Sequence, residues 1–173
     1  AIRARFSAVR PLPTATYGAG AQSRDAGTSH VSVVDGAGNA VACTSSVNTA
    51  FGAKLGVRGI VLNNTMDDFS AQPGVANAYG LVGNEANSIA PRKRPLSSMS
   101  PTIVLDDDGV RLAAGASGGP FIVSATLQTV LDIVDFDLGV EAAVAAARVH
   151  HQWLPDVLMV EDRMPPMTRL GLE

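Results

Sequence analysis

Two short runs of β-branched and small residues, 28–34 and 40–47, flank the cluster Asp35-Gly36-Ala37-Gly38-Asn39. Such residues suit the pleated surface of a strand, and Gly, Asn and Asp supply the backbone angles of a tight reversal. The two runs therefore predict a hairpin. Side chains alternate along a strand, so Thr28, His30, Ser32 and Val34 share one face. In an antiparallel pair the start of the first strand lies beside the end of the second, which carries Ser46 and Asn48 back to Thr28.

Ahead of the hairpin, residues 1–27 read as a connector, with Arg3, Arg5, Arg10 and Arg24 among small residues and Pro11 and Pro13 preventing a continuous helix. After it, 51–58 is a glycine-rich link, and 59–64 reads as a buried strand running into Thr65-Met66-Asp67-Asp68. Two adjacent carboxylates there fit either ordinary loop solvation or a charged site. Residues 71–101 lack periodicity and form a long loop of the kind that is functional or disordered. A second hairpin is predicted from 102–105 and 110–114 around Asp106-Asp107-Asp108-Gly109. The three aspartates lack the alternating ligands and closing glutamate of a calcium loop and read as a solvated turn. Apolar residues Ile122, Val123, Leu127, Val130, Leu131 and Val134 recur at helical spacing, predicting a helix over 121–136 with Pro120 in its first turn and Gly139 past its end. An Ala-rich helix follows over 140–148.

With 173 residues, 46% of them hydrophobic, the chain can form one domain with a core. Thirteen basic against sixteen acidic residues, and no basic stripe with interleaved aromatics, argue against a nucleic-acid partner. No apolar run reaches the ~18 residues of a membrane span, and the first residues lack the order of a signal peptide. Cys43 is the single cysteine, which excludes an internal disulfide; in its alternating apolar run it reads as a core thiol.

Two chemistries compete. Gly115-Ala116-Ser117-Gly118-Gly119 satisfies the Gly-x-Ser-x-Gly pattern between a predicted strand and a predicted helix, the context of a nucleophile elbow. Ser117 would then attack, with His150 or His151 as base and Asp132 or Asp135 orienting it. Against this, those aspartates lie inside a helix running away from the elbow, and no upstream His-Gly-Gly block supplies a second oxyanion donor. Alternatively, the two glycines at a helix N-terminus offer unpaired N–H groups where the helix dipole favours negative charge, an oxyanion hole for a nucleophile elsewhere. Thr28 is the other candidate. A threonine hydroxyl needs a base, and a free α-amine on the same residue, with a pKa near ~8, would serve once the preceding bond is cut.

Several blocks resemble the γ-glutamyltranspeptidases, a family of N-terminal-nucleophile hydrolases. They are Thr-Ser-His-Val-Ser-Val-Val-Asp at 28–35, Leu-Asn-Asn-Thr-Met-Asp-Asp-Phe-Ser at 62–70, Lys-Arg-Pro-Leu-Ser-Ser-Met-Ser-Pro-Thr at 93–102, Gly118-Gly119, and His-His-Gln-Trp-Leu-Pro at 150–155. The resemblance implies an α+β fold, a four-layer αββα sandwich incomplete in this chain. Residues 1–27 would be the end of a large subunit, and 28–173 a C-terminally truncated small-subunit core. It implies self-cleavage between Gly27 and Thr28, after which Thr28 transfers a γ-glutamyl group from glutathione-type amides to water or an amino-acid or peptide acceptor through an acyl ester.

By the same resemblance, Ser46 hydrogen-bonds the nucleophile and Gly118 and Gly119 form the oxyanion hole. Asp68 and Asn48 hold the α-amino and α-carboxylate end of the substrate, Ser97 and Ser98 bind its carboxylate, and Tyr79 falls where bacterial members place a lid tyrosine. An anion for an ammonium and neutral donors for a carboxylate are what a zwitterionic head requires. Thr65 departs from the family's Gln or Glu, so that one contact to the substrate ammonium is shortened or lost. The implied partners are the large subunit of the same precursor and a small γ-glutamyl substrate, and the implied location is periplasmic or extracellular. No cofactor or metal is implied, since His150 and His151, adjacent on one backbone, fit a structural role. Alternatives are a related amide acylase acting on β-lactam side chains, an uncleaved and inactive precursor fragment, and the Ser117 hydrolase.

Overall fold

The computed structural model describes residues 27–172; of the connector expected over 1–27, all but Gly27 lies outside them. Strands β1 (Thr28–Val34) and β2 (Ala40–Ser46) pair antiparallel with Thr28 opposite Ser46 and Val34 opposite Ala40. Asp35 builds the turn, its carboxylate accepting from the Asn39 side chain at 2.8 Å and from the Asn39 and Ala37 N–H groups at 2.9 and 2.8 Å. Those donors, the Asn39 side chain foremost, hold its pKa below the ordinary value.

The run expected to be a buried strand over 59–64 instead forms a two-residue ladder, β3 (Gly56–Val57) with β4 (Ile60–Val61). Arg58 and Gly59, at φ 51 and 82, fold the chain straight back on itself, so Ile60 is 66% exposed. The second long hairpin, β5 (Thr102–Asp106) with β6 (Gly109–Ala114), carries a bulge between Val104 and Leu105. The two long hairpins contact each other without sharing hydrogen bonds. They meet tightly at Gly115, where a Cβ would overlap the His30 ring.

Helix α1 (Phe121–Val134) packs on β6 and on α2 (Val140–Ala145). It stops short of 136 because Asp137, at φ 55, turns the chain out. Gly139 is therefore the residue before α2, at φ −63, rather than the end of α1. The second helix ends at Ala145, not 148, where Arg148 folds back and donates to the Val144 carbonyl at 2.8 Å, satisfying a terminal acceptor. The short pair β7 (Val149–His150) and β8 (Met159–Val160) and helix α3 (Pro166–Leu170) complete the described chain. No helix among the described residues is long and apolar enough to cross a membrane.

The core is smaller than composition suggests: among the described residues the buried apolar side chains are Phe69, Ile122, Ala143 and Met164. Cys43 is exposed, not a core thiol. It lies opposite Val31 on the hairpin face turned away from Thr28, where Val31, Val33 and Val41 are all about half exposed. Alternation put Cys43 on an apolar face, but nothing in the described chain covers that face.

Candidate active site

The site begins at the open end of the first hairpin. Val47 N–H donates to the Gly27 carbonyl at 2.7 Å, so the next pair along, Thr28 with Ser46, is a non-hydrogen-bonded pair, in which side chains stand closest. Their hydroxyls meet at 2.9 Å. By the same alternation the Thr28 nitrogen points away from β2, outside the ladder. Ser46 Oγ also accepts the Asn48 N–H at 2.8 Å, which pins the hydroxyl from behind. Asn48 turns the chain at φ 73 and is 6% exposed. Its Nδ2 donates to the Asn64 carbonyl at 3.3 Å, and the Tyr79 hydroxyl shares its proton between Asn48 Oδ1 at 2.8 Å and the Asn48 carbonyl at 3.1 Å.

Tyr79 also lies against Gly119, the second of the two glycines ahead of α1. Gly118 and Gly119 take φ 137 and 57, conformations that only glycine adopts without strain, and a Cβ on Gly119 would lie 3.0 Å from the Tyr79 ring. Their carbonyls face the helix, accepting from Phe121 N–H at 3.1 Å and Ile122 N–H at 3.2 Å. Neither glycine N–H is a donor in any hydrogen bond among the described residues. Both N–H groups are thus unpaired among the described residues, and Gly119 lines the same cleft as Thr28.

Asp68 closes the short 3₁₀ turn Thr65–Asp68. Desolvation, with the charge of Asp67 second, raises its pKa above the ordinary carboxylate value. Ser97 Oγ accepts from Met99 N–H at 3.1 Å, leaving its own proton free to donate. Ser98 donates to the Gly119 carbonyl at 2.9 Å. Asn87 ties the acidic and serine segments together: its Nδ2 donates to the Asp68 carbonyl at 2.8 Å and its Oδ1 accepts from Leu96 N–H at 2.9 Å.

Thr28, Ser46 and Asn48 line one cleft of ≈ 920 Å³ together with Asp68, Ser97, Ser98, Tyr79 and Gly119. Gly118 stands just outside the lining, and Thr65 is part of it. Of the residues singled out from sequence, the structure therefore brings the hairpin end, the carboxylate, the serine pair, the tyrosine and the second glycine to one place. Asn64, Asn87 and Gln152 escaped sequence reading. Each works by side-chain bonds to distant backbone, as when Gln152 donates to the Tyr79 carbonyl at 3.4 Å across 73 positions, and such bonds have no periodicity to detect.

The elbow alternative fails geometrically. Ser117 is exposed, and among the described residues no histidine bonds to it. His150 is buried instead, with Ser124 Oγ at 2.8 Å, Gln152 Oε1 at 3.0 Å and the Phe121 ring centroid at 4.2 Å. His151 bonds Asp156 at 3.0 Å. Asp132 and Asp135 bond to neither. No three His, Cys, Asp or Glu side chains converge as a metal site among the described residues.

The chain is similar to known proteins in both sequence and fold. The γ-glutamyltranspeptidase family model matches residues 2–173. The chain is 55% identical over 148 residues to the glutathione hydrolase proenzyme of Escherichia coli strain K12, covering 84% of this chain and 26% of that protein. Among solved structures, a threonine-to-alanine mutant of Helicobacter pylori γ-glutamyltranspeptidase superimposes with TM-score 0.79 at 46% identity, covering 83% of this chain and 78% of that one. The Pseudomonas nitroreducens γ-glutamyltranspeptidase complexed with L-DON gives TM-score 0.70 at 52% identity, with 73% and 66% covered. The fold is of the N-terminal-nucleophile hydrolase type that these structures share. The chain belongs to the γ-glutamyltranspeptidase family. It spans about a quarter of the length of the Escherichia coli relative.

Proposed function

We propose that residues 28–173 are the small-subunit catalytic core of a γ-glutamyl hydrolase and transferase, and that residues 1–27 are the connector forming the C-terminal end of the large subunit of the same precursor. The precursor severs itself between Gly27 and Thr28, and the freed α-amine, with a pKa near ~8, becomes the base of Thr28. The observation that carries this reading is the 2.9 Å contact between the Thr28 and Ser46 hydroxyls at a cleft that also holds Asp68, Ser97 and Gly119.

In turnover, Thr28 Oγ attacks the γ-carbonyl of a γ-glutamyl amide such as glutathione while its proton passes to the α-amine. Gly118 and Gly119 N–H groups receive the oxyanion. The amine then protonates the departing nitrogen, leaving a γ-glutamyl ester on Thr28 that water or an acceptor amine releases. Asp68 takes the substrate ammonium. Ser97, Asn48 Nδ2 and Ser98, once its hydroxyl turns from the Gly119 carbonyl, take the α-carboxylate. Tyr79 closes over both as a lid. With Thr65 too short to share the ammonium, Asp68 carries that contact nearly alone.

The large subunit covers the apolar face of Val31, Val33 and Val41 and completes a four-layer αββα sandwich, and the assembled enzyme works in the periplasm or outside the cell. Mass spectrometry of the complete precursor tests the reading: a product beginning at Thr28 should appear, and the two-chain form should hydrolyse γ-glutamyl-anilide but not glutaryl-anilide. An acylase would accept the glutaryl compound. Full activity with the Gly27–Thr28 bond intact would refute the proposal.

A further inference from the structure

We infer that Asn87 is the positioning residue that sets the gap between the ammonium-binding Asp68 and the carboxylate-binding Ser97, and so decides recognition of a zwitterionic amino-acid head. The inference rests on the substrate-binding reading above and goes beyond it by naming what spaces those two groups. The Asp68 carboxylate accepts no hydrogen bond among the described residues, so its place follows from its backbone. That backbone is held by Asn87 Nδ2, which donates to the Asp68 carbonyl at 2.8 Å. The other end of the same amide, Oδ1, accepts the N–H of Leu96, the residue before Ser97, at 2.9 Å. No hydrogen bond runs directly between 65–70 and 93–99 among the described residues, and the Asn87 side chain spans them.

The amide works in one orientation. A backbone carbonyl only accepts and a backbone N–H only donates, so exchanging the amide oxygen and nitrogen would break both bonds. Asn87 is itself fixed by its main chain. Its carbonyl accepts the Ser70 N–H at 2.9 Å, and its N–H donates to the Asn84 carbonyl at 3.1 Å. That bond closes the 3₁₀ turn Glu85–Asn87, which Asn84 Oδ1 caps by accepting the Ala86 N–H at 3.0 Å. On the other side, Phe69 and Ser70 are 5% and 6% exposed, so the segment that carries Asp68 is anchored where Asn87 grips it.

An α-amino acid carries its ammonium and its carboxylate on one carbon, so covalent geometry fixes their separation. Two protein groups that bind both must match it. Displacing either group by about 1 Å takes a charge-assisted contact of ~2.8 Å out of hydrogen-bond range. A ligand that has the carboxylate but no ammonium needs no such match. L-Glutamate and glutarate differ by that ammonium alone, so a change in the gap should alter the affinity of the first and spare the second.

Two variants of the complete two-chain enzyme test this, with inhibition of γ-glutamyl-anilide hydrolysis by L-glutamate and by glutarate giving a Ki for each. Asn87→Ala deletes both bonds. The second variant replaces Leu96 by its α-hydroxy acid, which removes only the N–H that Asn87 Oδ1 accepts and keeps the side chain. In both, the Ki for L-glutamate should rise at least about tenfold, the effect of losing one hydrogen bond to a charged group, while the Ki for glutarate stays within about threefold. A folded variant whose Ki for L-glutamate stays within about threefold of wild type overturns the inference, and so does a parallel rise of both values, the mark of general distortion. If Asn87→Ala does not fold or is not processed, the Leu96 replacement decides. Wild-type enzyme that binds L-glutamate no better than glutarate defeats the underlying reading of Asp68 as the ammonium site instead.

Discussion

Replacing Tyr79 by Phe removes one oxygen and leaves the ring that lies over Gly119, so it creates no cavity. What it deletes is the proton shared by Asn48 Oδ1 at 2.8 Å and the Asn48 carbonyl at 3.1 Å. Asn48 is 6% exposed, so its side-chain oxygen cannot find water while the loop stays closed. An orphaned buried acceptor costs about 1 to 3 kcal/mol, which corresponds to a roughly 5- to 150-fold rise in the population of the opened loop. The other ties of the segment survive: Tyr79 and Leu81 N–H to Asn77 Oδ1, both at 3.0 Å, and Gln152 to the Tyr79 carbonyl at 3.4 Å. The effect is therefore local. Hydrogen exchange should accelerate by that factor at residues 77–81 and stay unchanged in the middle of α1. Exchange that is unaltered in the loop, or that rises equally in α1, would refute the assignment of Tyr79 as the latch on Asn48.

Gly119→Ala forces an alanine into φ 57 against the Tyr79 ring, and the backbone conformation alone should lower stability by about 1–2 kcal/mol, read as a drop in urea midpoint at constant slope. An unmoved midpoint contradicts the geometry. Asp68 has a folded-state pKa raised by burial and by Asp67, so the folded form holds its proton more tightly than the unfolded form, and stability falls as pH rises from the ordinary carboxylate pKa through the raised one. Asp68→Asn should accordingly raise the unfolding midpoint at neutral pH and have no effect at a pH below both values, while weakening substrate binding; equal midpoints at neutral pH would count against the shift. Ser117→Ala, at an exposed residue outside the cleft, should leave stability within about 0.5 kcal/mol and activity within about twofold. Abolished activity with intact folding would restore the nucleophile-elbow reading.

The amino-acid order alone determines the hairpin and its register. Alternating β-branched residues around a five-residue turn cluster are local signals, and antiparallel pairing then sets Thr28 opposite Ser46 without reference to any other part of the chain. The long helix was legible for the same reason, although its end at Val134 depends on the left-handed Asp137, where glycine at 139 looked the better stop.

Tertiary structure alone decided the rest of the site. Asp68 is held by Asn87 across 19 positions, Ser98 by Gly119 across 21, and Asn48 by Tyr79 across 31, through single side-chain bonds that leave no periodic trace. Burial behaved likewise: alternation assigns Cys43 and Val31 to one face of the hairpin, but whether that face is covered depends on what packs against it. Spacing along a chain specifies which side chains point together, because backbone geometry repeats; which distant segments then meet is set by packing, which does not.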